Sequence, residues 1–269
     1  MREYISEEEF KIMSALCDSG KDIKEIHKQF PKWSYNGIYH KLKQHGHIVK
    51  EPFKNRRKYF VNEDFFNNLE DERVLYFLGL LWTDGCINDK YNLVSLSLQE
   101  KDKNILEYFR NIIQPGKPLY YKKEPHSEQN GNLMIINSKK FVNYLTSIGC
   151  GPRKTLYLDW PKIDIREDLI HHFIRGLIDG DGCVYININN PKRCSISLVG
   201  CPILLKKVSE LLSKTLDIHC GTSKCSQSDK VVNIRVDGRN QCKKLGEYLY
   251  KDATIYLKRK YDKYLLIKG

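Results

Sequence analysis

The spacing of apolar residues over the first 50 residues predicts three short helices. Ser6 is followed three residues later by Glu9, a capping box that predicts a helix start. The first helix runs up to Gly20, and its apolar face is made of Phe10, Ile12, Met13 and Leu16. A second helix is predicted over residues 22–30, and a third begins at a Ser34 cap and ends at Gly46. Three short helices with a tight second turn are typical of a helix-turn-helix unit.

Two short apolar segments follow the third helix and predict a β-hairpin. They cover residues 47–50 and 58–61, and the loop between them contains Lys54, Arg56 and Arg57. With the three helices they predict a winged helix-turn-helix domain over residues 1–66, whose third helix would enter the major groove of DNA. The residues expected on or near the reading face are Lys32, Ser34, Tyr35, Asn36, His40, Lys41 and Lys43. The alternative is a three-helix bundle that packs on the rest of the protein and touches no DNA.

An internal repeat predicts the architecture of the remaining chain. Residues 77–87 and 174–184 match at an offset of 97 residues, with five of eleven positions identical. Strand-like segments at 93–98 and 194–199 follow the two copies, and helices are predicted at 102–113, 138–148, 202–214 and 239–250. Each half therefore consists of a helix, two strands, a helix, two strands and a helix. We predict an α+β fold of tandem, pseudo-symmetric αββαββα repeats, the first over residues 67–165 and the second over residues 166–269.

The predicted strands alternate apolar and polar residues, as strands do in an antiparallel sheet with one buried and one solvated face. The polar positions are Ser95, Ser97 and Gln99 in the first half and Tyr185, Asn187, Asn189, Ser195, Ser197, Asn233 and Arg235 in the second. Residues of these types hydrogen-bond to base edges. The open face is thus a candidate DNA-binding surface, and an ordinary solvated sheet face is the alternative.

The charge balance favours a polyanionic partner. Lys and Arg total 45 and Asp and Glu total 33, so the net charge is +12, and nucleic acid is the first partner to consider. Residues 39–58 carry seven basic residues against Glu51 alone. This local excess coincides with the predicted third helix and hairpin loop, and it supports a DNA contact there.

The cysteines and the apolar runs exclude other classes. None of the nine cysteines forms a Cys-x-x-Cys pair, which argues against a zinc ribbon and against a disulfide framework. The longest apolar run, residues 74–82, is about half of what a membrane span needs. We expect reduced thiols in an intracellular protein, cytoplasmic or organellar, with no membrane partner.

The repeated segment itself suggests chemistry. Each copy has a small residue every fourth place, Gly79 and Thr83 in one and Gly176 and Gly180 in the other, which allows two helices to pack closely. Both helices end in Asp-Gly, with Gly85 and Gly182 expected as left-handed stops. Side-by-side packing would bring Asp84 and Asp181 together. Paired carboxylates can hold divalent cations that activate water near a phosphate, whereas a single Asp-Gly is usually only a turn.

Both copies resemble the nine-residue signature of the LAGLIDADG homing endonucleases, and the element order over residues 70–269 resembles their single-chain, two-repeat members. The resemblance implies two motif helices at a central interface and two antiparallel sheets forming a saddle over double-stranded DNA with a long target site. It implies cleavage of both strands across the minor groove, leaving short 3′ overhangs. It also implies that Asp84 and Asp181 bind Mg²⁺ or Mn²⁺, with the backbone carbonyls of Thr83 and Gly180 facing the metals.

The sequence departs from the signature at one position. The first copy has Trp82 where the signature has its earlier Asp, while the second copy keeps Asp179. The resemblance further implies catalytic lysines, and the matching positions are Lys101, Lys154 in the pair Arg153-Lys154, and Lys260 in the pair Arg259-Lys260. His171 and His172 are expected at the surface or at an interface, and not as metal ligands.

Two other functions remain open on the sequence. One is a transcription regulator that keeps the fold without cleaving, and the presence of both Asp84 and Asp181 argues against it. The other is an intron RNA maturase, since the same basic surface could bind folded RNA. An intein is not expected, because the ends of the chain have no splicing nucleophile and no terminal His-Asn. A chain that contains both halves is expected to act as a monomer.

Overall fold

A computed structural model describes residues 4–49, 58–122, 130–154, 157–225 and 228–269. The chain divides into two compact units, Met1–Lys58 and Tyr59–Gly269. This division falls earlier than the predicted boundary after residue 66, because Val61, Phe65 and Phe66 are buried in the core of the second unit.

The described residues of the first unit form three helices, α1 (Glu7–Asp18), α2 (Ile23–Gln29) and α3 (Tyr35–Gln44). The Ser6–Glu9 capping box is present, and Asp22 and Glu25 form a second one at α2. Ser34 Oγ accepts a hydrogen bond from the Gly37 amide, 3.1 Å, and caps α3. The buried residues are Met13, Cys17, Ile23, Ile26, Ile38, Leu42 and Val49. Ile12, expected on the apolar face of α1, is 53% exposed.

The predicted hairpin of the first domain is not formed by the described residues. Residues 47–49 and 58–61 contain no strand, and the loop residues Lys54, Arg56 and Arg57 lie outside the described residues. The reason is that the two segments pack in different cores. Val49 is buried among the three helices of the first unit, whereas Val61 is buried in the core of the second unit.

The second unit contains the two predicted repeats. The first consists of α4 (Glu72–Thr83), β1 (Gly85–Asn88), β2 (Leu93–Gln99), α5 (Lys103–Ile113), β3 (Tyr120–Lys122), β4 (Gly131–Asn137) and α6 (Lys139–Ser147). The second consists of α7 (Ile170–Asp181), β5 (Gly182–Ile186), β6 (Cys194–Gly200), α8 (Pro202–Leu216), β7 (Gly221–Cys225), β8 (Ser228–Asp237) and α9 (Arg239–Tyr250). The predicted α+β fold of two αββαββα repeats is confirmed. A further helix, α10 (Lys258–Lys268), was not predicted.

Each repeat forms one four-stranded antiparallel sheet, with strand order β1-β2-β4-β3 in the first and β5-β6-β8-β7 in the second. The registers are equivalent, since Gly85 lies opposite Leu96 and Gly182 lies opposite Leu198. Helices cover the apolar face of each sheet, where Leu96 and Leu198 are buried. The polar face of each sheet is therefore the one that can meet a ligand.

All nine cysteines lie in the described part of the chain and carry free thiols. Among the described helices, none has both the length and the apolar character needed to cross a membrane.

Candidate functional site

The motif helices α4 and α7 pack so closely that their backbones touch at Gly79 and Gly176. A Cβ atom added to Gly79 would lie 2.7 Å from the Cα of Gly176, and one added to Gly176 would lie 2.8 Å from the Cα of Gly79. Any side chain would have to separate the two helices, because the atoms that it would meet belong to backbone. The close packing predicted from the small residues is therefore present, and glycine is required on both sides.

The same packing continues to the ends of the helices. A Cβ atom on Gly180 would lie 2.7 Å from Thr83 Cβ and 2.8 Å from Asp84 Oδ2. The Asp84 carboxylate thus lies against the backbone of the opposite helix. Asp181 ends α7 at the equivalent position of the second repeat, and its negative charge acts on Asp84 and raises the pKa of that carboxyl. The structure therefore brings the two acids to one end of the interface.

The glycines after the two acids are needed for a different reason from the one predicted. Neither Gly85 nor Gly182 has a positive φ. A Cβ atom would instead lie 2.7 Å from Leu81 Cα at Gly85 and 2.8 Å from Ile178 Cα at Gly182. The chain folds back tightly against the last turn of its own helix and enters β1 or β5 at once. This places each acid directly before the edge strand of its sheet.

Both acids have raised pKa values although part of each residue is exposed, because the surrounding protein removes much of the water around the carboxyl groups. Removal of solvent by the surrounding protein raises the pKa of Asp84 to about 6, and the charge of Asp181 adds to that rise. The same loss of solvent raises the pKa of Asp181. Lys154 and Lys260 act in the opposite direction on both carboxyls. Two carboxylates held together in this way have the electrostatics of a site that gains from a bound cation.

We expect Asp84→Asn to make the metal-free protein more stable at pH 7.5. The folded-state pKa of Asp84, about 6, lies above the value of about 3.9 in an unfolded chain. The stability that protonated Asp84 contributes to the folded state is fully present below about pH 4 and is lost as the pH rises through about 6. A neutral asparagine avoids that loss. Thermal denaturation in EDTA should show a higher Tm for the variant at pH 7.5 and equal values near pH 4. The exposed Asp164→Asn is the control, and a wild type that is more stable at pH 7.5 would contradict the assignment.

Two buried lysines cap the C-terminal ends of the motif helices. Lys260 on α10 is 3% exposed, and its Nζ donates to the carbonyls of Ile178 at 2.6 Å and Gly182 at 2.6 Å. Lys154 is also buried, and its Nζ donates to the carbonyl of Gly85. A cation at this end of a helix opposes the negative end of the helix dipole. Burial lowers the pKa of Lys260 to about 8.

The three lysines expected near the site therefore differ in their surroundings. Lys154 and Lys260 point into backbone carbonyls beneath the acids, whereas Lys101 is exposed on a single helical turn after β2. Next to Lys101, the buried Asp102 pairs with Arg259 Nε at 2.9 Å. Lys154 and Asp181 line one small cavity of about 50 Å³ together with Thr83.

The oxygen atoms at this end of the helices fit a magnesium site that is completed by a substrate. Asp84 and Asp181 supply carboxylates, and Mg²⁺ in nucleotide-processing proteins is held by one or two carboxylates plus phosphate oxygens. The carbonyls of Thr83 and Gly180 are near the lysine ammonium groups, at 3.4 Å and 3.5 Å. Within the described ranges, no group of three or more His, Cys, Asp or Glu residues could hold a metal ion alone.

A buried polar network behind the site was not predicted from the sequence. Arg175 is fully buried, and its guanidinium donates to the carbonyls of Leu249 and Ile255 and to Glu72. His172, expected at the surface or at an interface, is buried beside Arg175, and burial lowers its pKa to about 3. Its neighbour His171 is also buried and bonds through Nε2 to the Lys251 carbonyl. Arg175 and Asp179 lie four residues apart at the positions where α4 has Leu78 and Trp82. This difference between the two copies could have indicated a buried polar network in the second repeat.

The open sheet faces hold most of the polar residues predicted to bind DNA. Tyr185 and Arg235 are exposed, and Arg235 Nε bonds to Asp237 Oδ1 at 2.8 Å. The side chains with partial exposure are Ser97, Gln99, Asn187, Ser197 and Asn233. Ser95 and Ser195 are buried, contrary to expectation. Asn187 and Asn189 lie in the turn after β5 and not on the strand, where Asn187 Oδ1 accepts from the Asn189 amide.

In the first unit, the residues predicted to read DNA are distributed along and before α3. Lys32, Ser34, Asn36, His40 and Lys43 are exposed, and Tyr35 and Lys41 are half-buried. The exposed members are thus available to a ligand of this unit.

No family model and no curated protein matches the chain. Solved structures do match. The homing endonuclease I-WcaI bound to its DNA recognition sequence is 14% identical, with a TM-score of 0.50, over 80% of this chain and 95% of that chain. The LAGLIDADG homing endonuclease I-LtrWI bound to target DNA is 12% identical, with a TM-score of 0.48, over 74% of this chain and 90% of that chain.

Full-length DUF199/WhiA from Thermatoga maritima is a further match, 14% identical over 77% of this chain, with a TM-score of 0.46. The present chain spans 65% of the length of that protein. At these identities the likenesses concern the fold.

Proposed function

We propose that this chain, which has the LAGLIDADG fold, is a site-specific endonuclease that cuts double-stranded DNA by metal-dependent hydrolysis. The observation that carries the proposal is the meeting of Asp84 and Asp181 at one end of the α4–α7 interface. Each acid directly precedes the edge strand of a sheet with an open polar face. The net charge of +12 suits a polyanionic substrate.

The chemistry needs little from the protein beyond positioning and charge. A divalent cation such as Mg²⁺ or Mn²⁺, when bound, lowers the pKa of water and stabilises the leaving oxygen of a phosphodiester. Asp84 and Asp181 would hold it, with Thr83 and Gly180 offering carbonyl oxygens. Lys154 and Lys260 keep both carboxyls more ionised than their surroundings alone would allow. Cleavage across the minor groove with short 3′ overhangs is part of the proposal.

DNA recognition would come from the open sheet faces. Arg235 is oriented by Asp237, so its remaining guanidinium N–H groups are directed for a base or phosphate contact. Tyr185 and Asn233 lie on the same sheet. The exposed residues of α3 and the segment before it would extend the contact, giving a long target site bound by a monomer.

The test is cleavage of a randomised duplex library with Mg²⁺, with the product ends sequenced. We expect discrete double-strand cuts with short 3′ overhangs, and no cuts in EDTA. The same library treated with residues 59–269 should yield a shorter preferred sequence if the first unit contacts DNA. An unchanged preferred sequence would show that the first unit does not read bases.

Two outcomes would replace the proposal. Retention of specific DNA without cutting would make the chain a DNA-binding regulator of the same fold. Failure to retain DNA, with binding of structured intron RNA, would make it a maturase.

A further inference from the structure

Two short segments carry the buried lysines to the ends of the motif helices. The first strap comprises residues 152–154 and 157–160, after α6, and contains Lys154. The second strap comprises residues 254–260, after α9, and contains Lys260. Both straps follow the last sheet-covering helix of their repeat, and the two lysines donate to equivalent carbonyls, those of Gly85 and Gly182.

The second strap is anchored by Asp179. Its Oδ2 atom accepts the Leu257 amide at 2.8 Å and the Tyr76 hydroxyl at 2.8 Å, and the side chain is 1% exposed. Leu257 in turn accepts the Lys260 amide at 2.9 Å. The carboxylate therefore fixes the backbone three residues before the lysine.

The first strap is anchored by Trp82. Its indole Nε1 donates to the Asp159 carbonyl at 2.9 Å, and the side chain is 1% exposed. Trp82 and Asp179 are separated by the same 97 residues that separate Asp84 from Asp181. The two residues occupy the same position of the repeat, and each forms a hydrogen bond to the backbone of a strap. The indole of Trp82 donates to a carbonyl, whereas the carboxylate of Asp179 accepts from an amide.

Each strap also contacts the opposite repeat. Asp159 of the first strap pairs with Lys207 on α8 at 2.8 Å. Arg259 of the second strap pairs with the buried Asp102 next to α5 at 2.9 Å, and the Thr254 amide donates to Glu72 on α4 at 2.9 Å. The straps therefore join the two repeats on both sides of the motif helices.

We propose that Trp82 and Asp179 are positioning residues, each of which fixes the strap that delivers one lysine beneath the paired acids. The substitution of Trp for the signature's earlier Asp is then a replacement of one anchor by another and not a loss. The placement of the lysines does not depend on the proposed nuclease function. Only the consequence for DNA cleavage depends on it.

The test is acetylation of lysines in the full-length, metal-free protein with sulfo-N-hydroxysuccinimide acetate, followed residue by residue by mass spectrometry. In Asp179→Leu, Lys260 should react about tenfold faster or more, because a buried amide has lost its acceptor, while Lys154 stays protected. In Trp82→Phe, Lys154 should react faster while Lys260 stays protected. Lys258, which is exposed and follows the anchored Leu257 in the chain, should react equally in all proteins.

Asp179→Asn is the matched control, because its side-chain oxygen can still accept the Leu257 amide, and it should leave Lys260 protected. Should Asp179→Leu fail to fold, the smaller Asp179→Ala replaces it. The proposal would be overturned if both lysines were acetylated equally fast in both variants, or if both stayed protected in both variants.

Cleavage gives a second, separate readout. On a duplex that the wild type cuts, each single variant should nick one strand several-fold more slowly than the other, and the affected strand should differ between Trp82→Phe and Asp179→Leu. Equal slowing of both strands would oppose a separate role for each anchor. If the wild type cuts no DNA, the proposed function fails, while the acetylation result still decides the anchors.

Discussion

Replacement of Asp84 or Asp181 by asparagine is expected to abolish double-strand cleavage while DNA affinity stays unchanged or rises. Asparagine keeps the shape of the side chain and loses the charge that attracts a divalent cation. Changes that only perturb the partners of a metal ligand cost about 10–100-fold, so loss of the ligand itself should reduce cleavage more than about 100-fold. Affinity should not fall, because it comes from other side chains and because removal of a carboxylate lessens repulsion of the phosphates.

The measurement is a single-turnover cleavage assay with Mg²⁺, beside an electrophoretic binding assay in EDTA on the same duplex. Asp164→Asn, which changes an exposed acid outside the pair, is the control and should cut at the wild-type rate. A variant that binds and cuts normally would exclude that acid from the chemistry. A variant that neither binds nor cuts would show instead that the acid maintains the fold, and the melting experiment above distinguishes these cases.

The repeats were predictable because local rules and packing agree there. The segment 77–87 recurs with the same small residues, and the period of two in the strands fixes which face is covered. The cap residues also lie where local chemistry puts them, as at Ser6 and Ser34. In each case a short stretch of sequence carries the whole signal.

The rest depends on contacts that no local pattern contains. Helix α10 was missed because its N-cap, Leu257, makes no side-chain cap bond, and because one of its buried residues is a lysine. The three-dimensional structure is needed to show that the Lys260 ammonium donates hydrogen bonds to carbonyls of α7. The described residues 47–49 and 58–61 form no strand for the same reason, since Val49 and Val61 are buried in different cores.

The glycine pair at the helix crossing offers the largest expected effect on stability. Gly79→Ala or Gly176→Ala should lower the free energy of unfolding by more than about 2 kcal/mol, since overpacking against backbone costs 1–3 kcal/mol or more. Helix propensity alone would give the opposite sign, because alanine is favoured over glycine by about 1 kcal/mol in a helix interior. A lower free energy of unfolding in the alanine variant would therefore show that packing outweighs helix propensity at this position. Chemical denaturation of the metal-free protein measures it.

Gly200→Ala, on strand β6, is the control for an added methyl group that meets no backbone, since its Cβ would meet the Leu205 side chain at 3.7 Å, an ordinary contact. It should change stability by less than about 0.5 kcal/mol. The helical variants should also lose cleavage at temperatures where they remain folded, because any separation of α4 from α7 moves Asp84 away from Asp181. An alanine variant that is more stable than the wild type would show that the backbones do not touch at this crossing. The shared position of the two acids would then lose its structural basis.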